Sequence, residues 1–387
     1  VRSQVPWRRI LLLFLASRLA LEVVGLVSFS LLPHRVGHRN LVHHQPTTPA
    51  AEIWVRWDAE WYLLIAERGY DVRSYLAQLH PEVDAAGAEG FLPLYPALIS
   101  LLTPVTGAVG AGILISNLSL LAALVLLFLV TADAAGAGVD GELAGLVACV
   151  ALLLHPMSLF LSAVYAESLL LALSLGAYLA ARRHRFVAAG ALAGLAALTR
   201  PFGVLLVVPL ALEWWASRHE PRGTMAARWG WLAACVPPAA FAWWLTFSAR
   251  NLGGPLALLE RQSRWRGGTS GPWRAFVRWW ESGPALHGAH DSTLELVIAL
   301  VCLASLWAVF RWQRRSAAAF ALVALLIPLC STLWSFGRLS LTVFPLFTAA
   351  GLAWARGART VPVLLAFVGG SLGVLLTTFY ATWWWAG

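Results

Sequence analysis

The residues best placed for chemistry are a single acid and the aromatics around it. Asp58 sits in the run Arg56-Trp57-Asp58-Ala59-Glu60-Trp61-Tyr62, which continues through Ile65-Ala66-Glu67-Arg68-Gly69-Tyr70. Trp54, Trp57, Trp61, Leu64 and Ile65 share one face at helical spacing. Arg56, Glu60 and Glu67 fall opposite, with Arg56 and Glu60 spaced for a solvated ion pair. Asp58 lies at the edge of the apolar face, so it is the acid more open to partial desolvation and to service as a general base. An interfacial amphipathic helix that Asp58 only caps or hydrates would show the same spacing.

Three further charges stand out. Thr199-Arg200-Pro201-Phe202-Gly203 interrupts an apolar stretch, and Arg338 lies in Ser335-Phe336-Gly337-Arg338-Leu339-Ser340. Either guanidinium could hold a phosphate by bidentate hydrogen bonds; Arg200 could equally be a snorkelling residue beside a proline break. Glu167, within Tyr165-Ala166-Glu167-Ser168, is costly in an apolar helix unless paired or facing a cavity. It could orient a sugar hydroxyl or pair with Arg200. Arg18 and Glu22, four apart in the first apolar run, are expected to pair with each other.

These residues need positioning elements, and the composition says what kind. Of 387 residues 59% are hydrophobic and 12% charged, against roughly 25% charged in soluble domains. Apolar stretches of about 18 residues recur, each long enough to cross a bilayer as a helix. The chain therefore reads as all-α, polytopic and a single membrane domain over 1–387. About eleven spans are expected, near 10–31, 107–131, 143–155, 159–181, 186–200, 202–216, 230–248, 294–311, 316–334, 341–355 and 361–382. Between 91 and 106, Pro93, Pro96 and Pro104 argue against a straight spanning helix and for a re-entrant piece.

All 28 basic residues are arginine. With the N-terminus in the cytoplasm, the clusters Arg182/Arg183/Arg185, Arg218/Arg222/Arg228, Arg311/Arg314/Arg315 and Arg356/Arg359 all fall inside, as the positive-inside rule requires. Two long segments, 32–106 and 249–293, then face outward, the first carrying Asp58 and amphipathic helices. The same topology puts Arg200 and Arg338 on the Asp58 side. The net charge of +9 reflects this sorting and not nucleic-acid binding. Cys149, Cys235, Cys302 and Cys330 lie in apolar segments and read as small buried hydrophobes. His34, His38, His43 and His44 lack an acid at ligand spacing, so no metal is expected. No phosphate-cradling glycine loop is present, and no cofactor is expected.

Taken together, several blocks resemble the mannosyltransferase family typified by GPI mannosyltransferase 2 (PIG-V). They are Arg56-Trp57-Asp58-Ala59-Glu60, Ile65 through Tyr70, Phe91-Leu92-Pro93-Leu94-Tyr95-Pro96, His155-Pro156 through Phe160, Ser162-Ala163, Tyr165-Ala166-Glu167-Ser168, and Thr199-Arg200 with Gly203. Order and spacing agree over 50–210. The resemblance implies a GT-C membrane glycosyltransferase fold, a polyprenyl-phosphate-linked mannose donor and a catalytic Asp at Asp58. Arg200 and Arg338 are then candidates to face the lipid phosphate, with Glu167, Arg56, Trp57, Trp61 and Tyr62 completing a substrate-contacting set. The acceptor would be a hydroxyl of a lipid or glycan at the outer membrane face. His155 and Pro201-Phe202 depart from the eukaryotic pattern, and the compact, arginine-only chain looks bacterial, so the GPI acceptor is not carried over. A lipid or glycolipid flippase is the alternative; it predicts inverted repeats and charges at depth, whereas no repeat is visible and the candidate charges gather at one face.

Overall fold

The computed structural model describes residues 4–35, 48–79, 85–218, 229–283, 285–288 and 291–386. His38, His43, His44, Arg222 and Arg228 lie outside the described residues. Among those described, all regular structure is helical. In chain order the helices are α1 (Trp7–Leu31), α2 (Pro49–Glu52), α3 (Asp58–Arg68), α4 (Arg73–Leu79), α5 (Leu94–Ala135), α6 (Gly141–Leu153), α7 (Glu167–Arg182), α8 (Phe186–Thr199) and α9 (Val207–Ser217). They continue with α10 (Leu232–Asn251), α11 (Ala257–Arg266), α12 (Arg274–Ser282), α13 (Thr293–Trp312), α14 (Arg315–Leu329), α15 (Phe336–Ser340), α16 (Phe344–Ala355) and α17 (Thr360–Ala381).

Five helices (α1, α5, α10, α13 and α17) are each long and apolar enough to cross a membrane, which makes this a multi-pass membrane protein. Five further apolar segments, α6, α8, Pro201–Ser217, α14 and α16, are shorter, between 10 and 17 residues. The span expected at 159–181 is divided: Ser158–Leu161 forms a 3-10 turn, and α7 starts only at Glu167. In lipid-facing helices the outward surface is apolar, so Leu12, Leu19, Val187, Leu364 and Phe367 are exposed without being surface defects. Cys149 and Cys302 are buried as expected, but Cys235 faces outward from α10.

The expected break near residues 91–106 exists, but a glycine makes it. α5 runs from Leu94 to Ala135 with Gly107 at φ 71°, ψ 162°, so two helical pieces meet at a kink. That backbone region is open to glycine and closed to residues with a Cβ. Pro93 is the N-cap residue and Pro96 falls in the first turn, where a missing N–H costs nothing.

The helices alternate between two ends of the bundle. α7 leaves Glu167 and ends at Arg182; α8 returns to Thr199 beside Arg200. At the far end Arg314 pairs with Glu213, Arg9 with Glu142, and Arg356 donates to the Ala135 carbonyl. At the near end gather α2–α4, α11, α12 and α15. Asp140 caps α6 by accepting from the Leu143 amide at 2.9 Å, which marks the far-end turn.

Candidate active site

Asp58 opens α3 directly after a strained residue. Trp57 has φ 58° and ψ −114°, a conformation costly for an aromatic side chain. The surroundings hold it. Tyr165 accepts the Asp58 amide at 3.2 Å and donates its hydroxyl to the Arg56 carbonyl at 3.0 Å. Tyr380, at the end of α17, donates to the Trp54 carbonyl at 3.3 Å. The Trp57 ring packs edge-on against Trp383 and Trp385, centroids 6.2 and 5.2 Å away. An acid in the first turn also meets the positive end of the α3 dipole.

The Asp58 carboxylate meets Arg338. Oδ2 accepts from Arg338 Nη1 at 2.7 Å, with the acid 28% and the arginine 6% exposed. The Arg338 Nε lies 3.4 Å from Glu167 Oε1, and the same Glu167 oxygen accepts from Arg200 Nη1. The order is therefore Asp58–Arg338–Glu167–Arg200, two acids and two guanidinium groups alternating. Four separate sequence segments converge here, as the sequence topology requires. Burial works against the charge on Arg338, but Asp58 and Glu167 outweigh it and hold its pKa above the ordinary arginine value. Its guanidinium also lies over the rings of Phe160 and Tyr165, 5.4 and 5.3 Å from the centroids.

One oxygen of the base candidate stays available. No hydrogen bond among the described residues reaches Asp58 Oδ1, while Oδ2 is held by Arg338. A carboxylate oriented through one oxygen and open at the other has the geometry of a positioned proton acceptor.

Arg338 sits on α15, a helix of one turn that needs outside support. Ser335 before it is left-handed, φ 59°. Glu295 Oε2 accepts the Gly337 amide at 2.6 Å. Asp291 accepts from Thr332 Oγ1 at 2.6 Å and from the Leu333 amide at 2.7 Å, and pairs with Arg278 at 3.3 Å. His155 contributes from the other side. Its Nδ1 accepts the Met157 amide at 3.2 Å, so its proton is on Nε2, which donates to Ser340 Oγ at 3.2 Å. Asp291 and Glu295 escaped the sequence reading because a lone acid at a span's start looks like a cap. The signal available was that two acids fall within five residues there.

Arg200 is set by a tight return. Its φ of −153° ends α8, and a 3-10 turn, Pro201–Leu206, folds back on that helix. A Cβ on Gly203 would fall 2.1 Å from the Ala196 carbonyl carbon, so only glycine permits this approach.

Several expected roles change. Arg56 is not on a solvated face with Glu60: it is 1% exposed. Its Nη1 donates to the Glu52 and Val55 carbonyls at 2.7 and 2.8 Å, and its guanidinium lies over Trp383 at 4.4 Å. The left-handed turn at Trp57 directs it inward, so Arg56 holds the α2–α3 corner together and touches no open surface. Glu60 is likewise buried, because α3 packs against α5 and does not lie flat on the interface. Tyr62 is buried among Phe91, Tyr95 and Tyr165, centroids 4.9, 4.9 and 6.4 Å away, which leaves no free ring face for a sugar. Burial raises its pKa, keeping the hydroxyl protonated near Glu167 and Arg200. Glu167 is 0% exposed and takes the pairing role of its two alternatives. Trp61 is half-buried, stacked on Phe91 at 6.1 Å.

The Arg18–Glu22 pair does not form. Arg18 Nη1 donates to the Ser158 carbonyl and Ser162 Oγ, both at 3.1 Å, whereas Glu22 Oε2 accepts from Trp54 Nε1 at 2.7 Å. Each found a partner on a neighbouring segment that places it better than the other could. No group of three or more metal-ligating side chains occurs among the described residues.

Comparison with known proteins bears on this geometry. The family profile described as Mannosyltransferase (PIG-V) matches residues 9–213, just over half of the chain and including Asp58, Glu167 and Arg200. No curated protein matches the chain. Two crystal structures of the Archaeoglobus fulgidus oligosaccharyltransferase are similar to it. One, tethered with an acceptor peptide, is 11% identical with a TM-score of 0.43 and is covered over 55% of its length by 96% of this chain. The other, a complex with Zn and sulfate, is 12% identical with a TM-score of 0.45 and is covered over 53% by 96% of this chain. The chain thus spans about half the length of the solved structures it matches.

Proposed function

The chain belongs to the mannosyltransferase (PIG-V) family, and from that premise we propose that it moves mannose from a polyprenyl-phosphate donor to a hydroxyl of a lipid- or protein-linked acceptor. A membrane glycosyltransferase is the class the family establishes; donor, acceptor and residue roles are the proposal. The flippase alternative gives way, because this family's members break and form bonds to sugars.

In the proposed reaction Asp58 takes the acceptor's proton on its free Oδ1 while the acceptor oxygen forms a bond to the anomeric carbon. The bond from that carbon to the phosphate oxygen breaks on the opposite face, the electron pair leaving with the lipid phosphate, and the anomeric centre inverts. A phosphate is a good leaving group, so no general acid is needed. Arg338 orients the base, and Arg200 holds Glu167 against Arg338. What positive potential they keep beyond those two acids acts on the departing phosphate. Trp57 and Trp61 are the aromatics left with surface to offer a sugar. The near end faces the extracytoplasmic side of the cell membrane, with the N-terminus cytoplasmic, as the arginine clusters at the far end favour.

The observation that carries this reading is Asp58: partly exposed, fixed by Arg338 through one oxygen and open at the other. The test is transfer by purified full-length chain given radiolabelled polyprenyl-phosphate mannose and a membrane extract. Wild-type protein is expected to label an extractable product. Asp58→Asn should cut the rate by roughly 10²–10⁴, the usual contribution of a general base. Undiminished transfer by a folded D58N protein would remove Asp58 from the mechanism.

A further inference from the structure

The arginines closest to Asp58 are already neutralised. Asp58, Glu167, Arg200 and Arg338 sum to no net charge, so an arriving phosphate finds their positive ends partly spent on each other. A departing lipid phosphate gains negative charge, and stabilising it calls for a fixed cation with no acid of its own.

Arg266 is such a cation. It ends α11, and Gly267 beyond it has φ 72°. Its Nε donates to Gln262 Oε1 and its Nη1 to the Trp334 carbonyl, both at 3.2 Å. Both acceptors are neutral, and no ion pair to Arg266 occurs among the described residues. Nη2 makes no hydrogen bond among them. Three neighbouring arginines each have an acid: Arg338 has Asp58 and Glu167, Arg200 has Glu167, and Arg278 has Asp291.

The position is as informative as the charge. Trp334, which anchors Nη1, precedes α15 and the Arg338 it carries. Its ring lies 5.8 Å from Trp385, which lies 5.2 Å from Trp57, the neighbour of Asp58. Arg266 is close enough to Arg338, Arg200, Asp58 and Glu295 for their charges to act on it. Burial, with Arg338 and Arg200 adding to it, lowers its pKa to about 10. A bound anion would relieve that cost. The backbone around it is also held in place: the Arg266 carbonyl accepts from Arg278, itself fixed by Asp291, and the Ser270 amide donates to the Cys330 carbonyl at 2.8 Å.

We propose that Arg266 binds the phosphate of the polyprenyl-linked donor and of the polyprenyl phosphate released, through its unpaired Nη2 edge at the wall shared with Arg338. This rests on the donor class proposed above and assigns the lipid phosphate to a residue of the second long loop, 249–293.

The test is equilibrium binding of polyprenyl phosphate to the purified full chain in detergent, set beside inorganic phosphate and vesicles of anionic phospholipid. Wild-type protein should bind polyprenyl phosphate and saturate. Arg266→Gln should weaken that binding roughly 10- to 100-fold, the worth of one charged hydrogen bond, with thermal unfolding unchanged. Arg266→Lys keeps the charge but not the fork, and should fall within several-fold of wild type. A lysine variant as weak as the glutamine one, with its fold intact, would overturn the charge role. Equal binding by wild type and Arg266→Gln would sink the Arg266 assignment and leave the donor reading standing. Wild-type protein that neither binds polyprenyl phosphate nor transfers mannose from polyprenyl-phosphate mannose would sink the donor reading itself. Inorganic phosphate or anionic vesicles matching polyprenyl phosphate in affinity and in Arg266 dependence would assign the site to those anions and overturn the proposal.

Discussion

The two ends of the bundle use the same residue types for opposite purposes. At the far end Arg9 and Glu142 pair at 2.7 Å while 66% and 49% exposed. At the near end Arg338 and Asp58 pair at the same distance, but at 6% and 28% exposure, with a fully buried Glu167 behind them. An exposed pair gains little over solvated charges, whereas a buried one has given up its water and depends on its partners. Arg9 therefore stays with solvent at the far end, and Arg338 and Arg200 build an interior at the near end. Equal distances do not mean equal worth.

That contrast can be broken by mutation. Glu167→Gln is expected to have the largest effect on stability, about 3–5 kcal/mol, because it leaves Arg200 without an acid and Arg338 with only one. Thermal unfolding in detergent measures it, and a loss comparable to that of a surface pair would end the distinction between the ends. Glu295→Gln should cost about 1–3 kcal/mol, since it disturbs the buried carboxyl group that accepts the Gly337 amide. The turn that presents Arg338 should loosen with it, so transfer should slow even in samples that remain folded. An unchanged turnover number would show that Arg338 needs no such support. Arg9→Gln is expected to change stability by less than about 1 kcal/mol and leave transfer untouched. A larger loss would mean that the far end, too, is an organised interior.

Much of this arrangement can be read from the chain alone. Asp58, Arg200 and Arg338 fall on one side once the apolar segments are laid end to end, and the fold brings them together with Glu167 between the arginines. What spacing cannot give is the partner. Arg18 and Glu22 lie four apart on one helix, yet Ser158, Ser162 and Trp54 take their bonds from other segments. Glu60 and Arg56 look solvent-facing in a helical projection, but the left-handed backbone at Trp57 and the packing of α3 on α5 turn both inward. A projection assumes a regular axis with water on one side, and neither condition holds at this corner. The break in α5 shows the same limit: three prolines advertise it, and Gly107 produces it.

The hold of Arg338 on one oxygen of Asp58 has a consequence for product structure. A carboxylate pinned this way cannot spin about its last bond, so its remaining lone pairs point along one fixed approach line. In the proposed reaction, whichever alcohol group of the incoming molecule reaches that line becomes the new linkage, and its neighbours on the same ring stay untouched. Regiochemistry would then be decided by how the incoming molecule is seated, and not by how reactive each of its alcohols is.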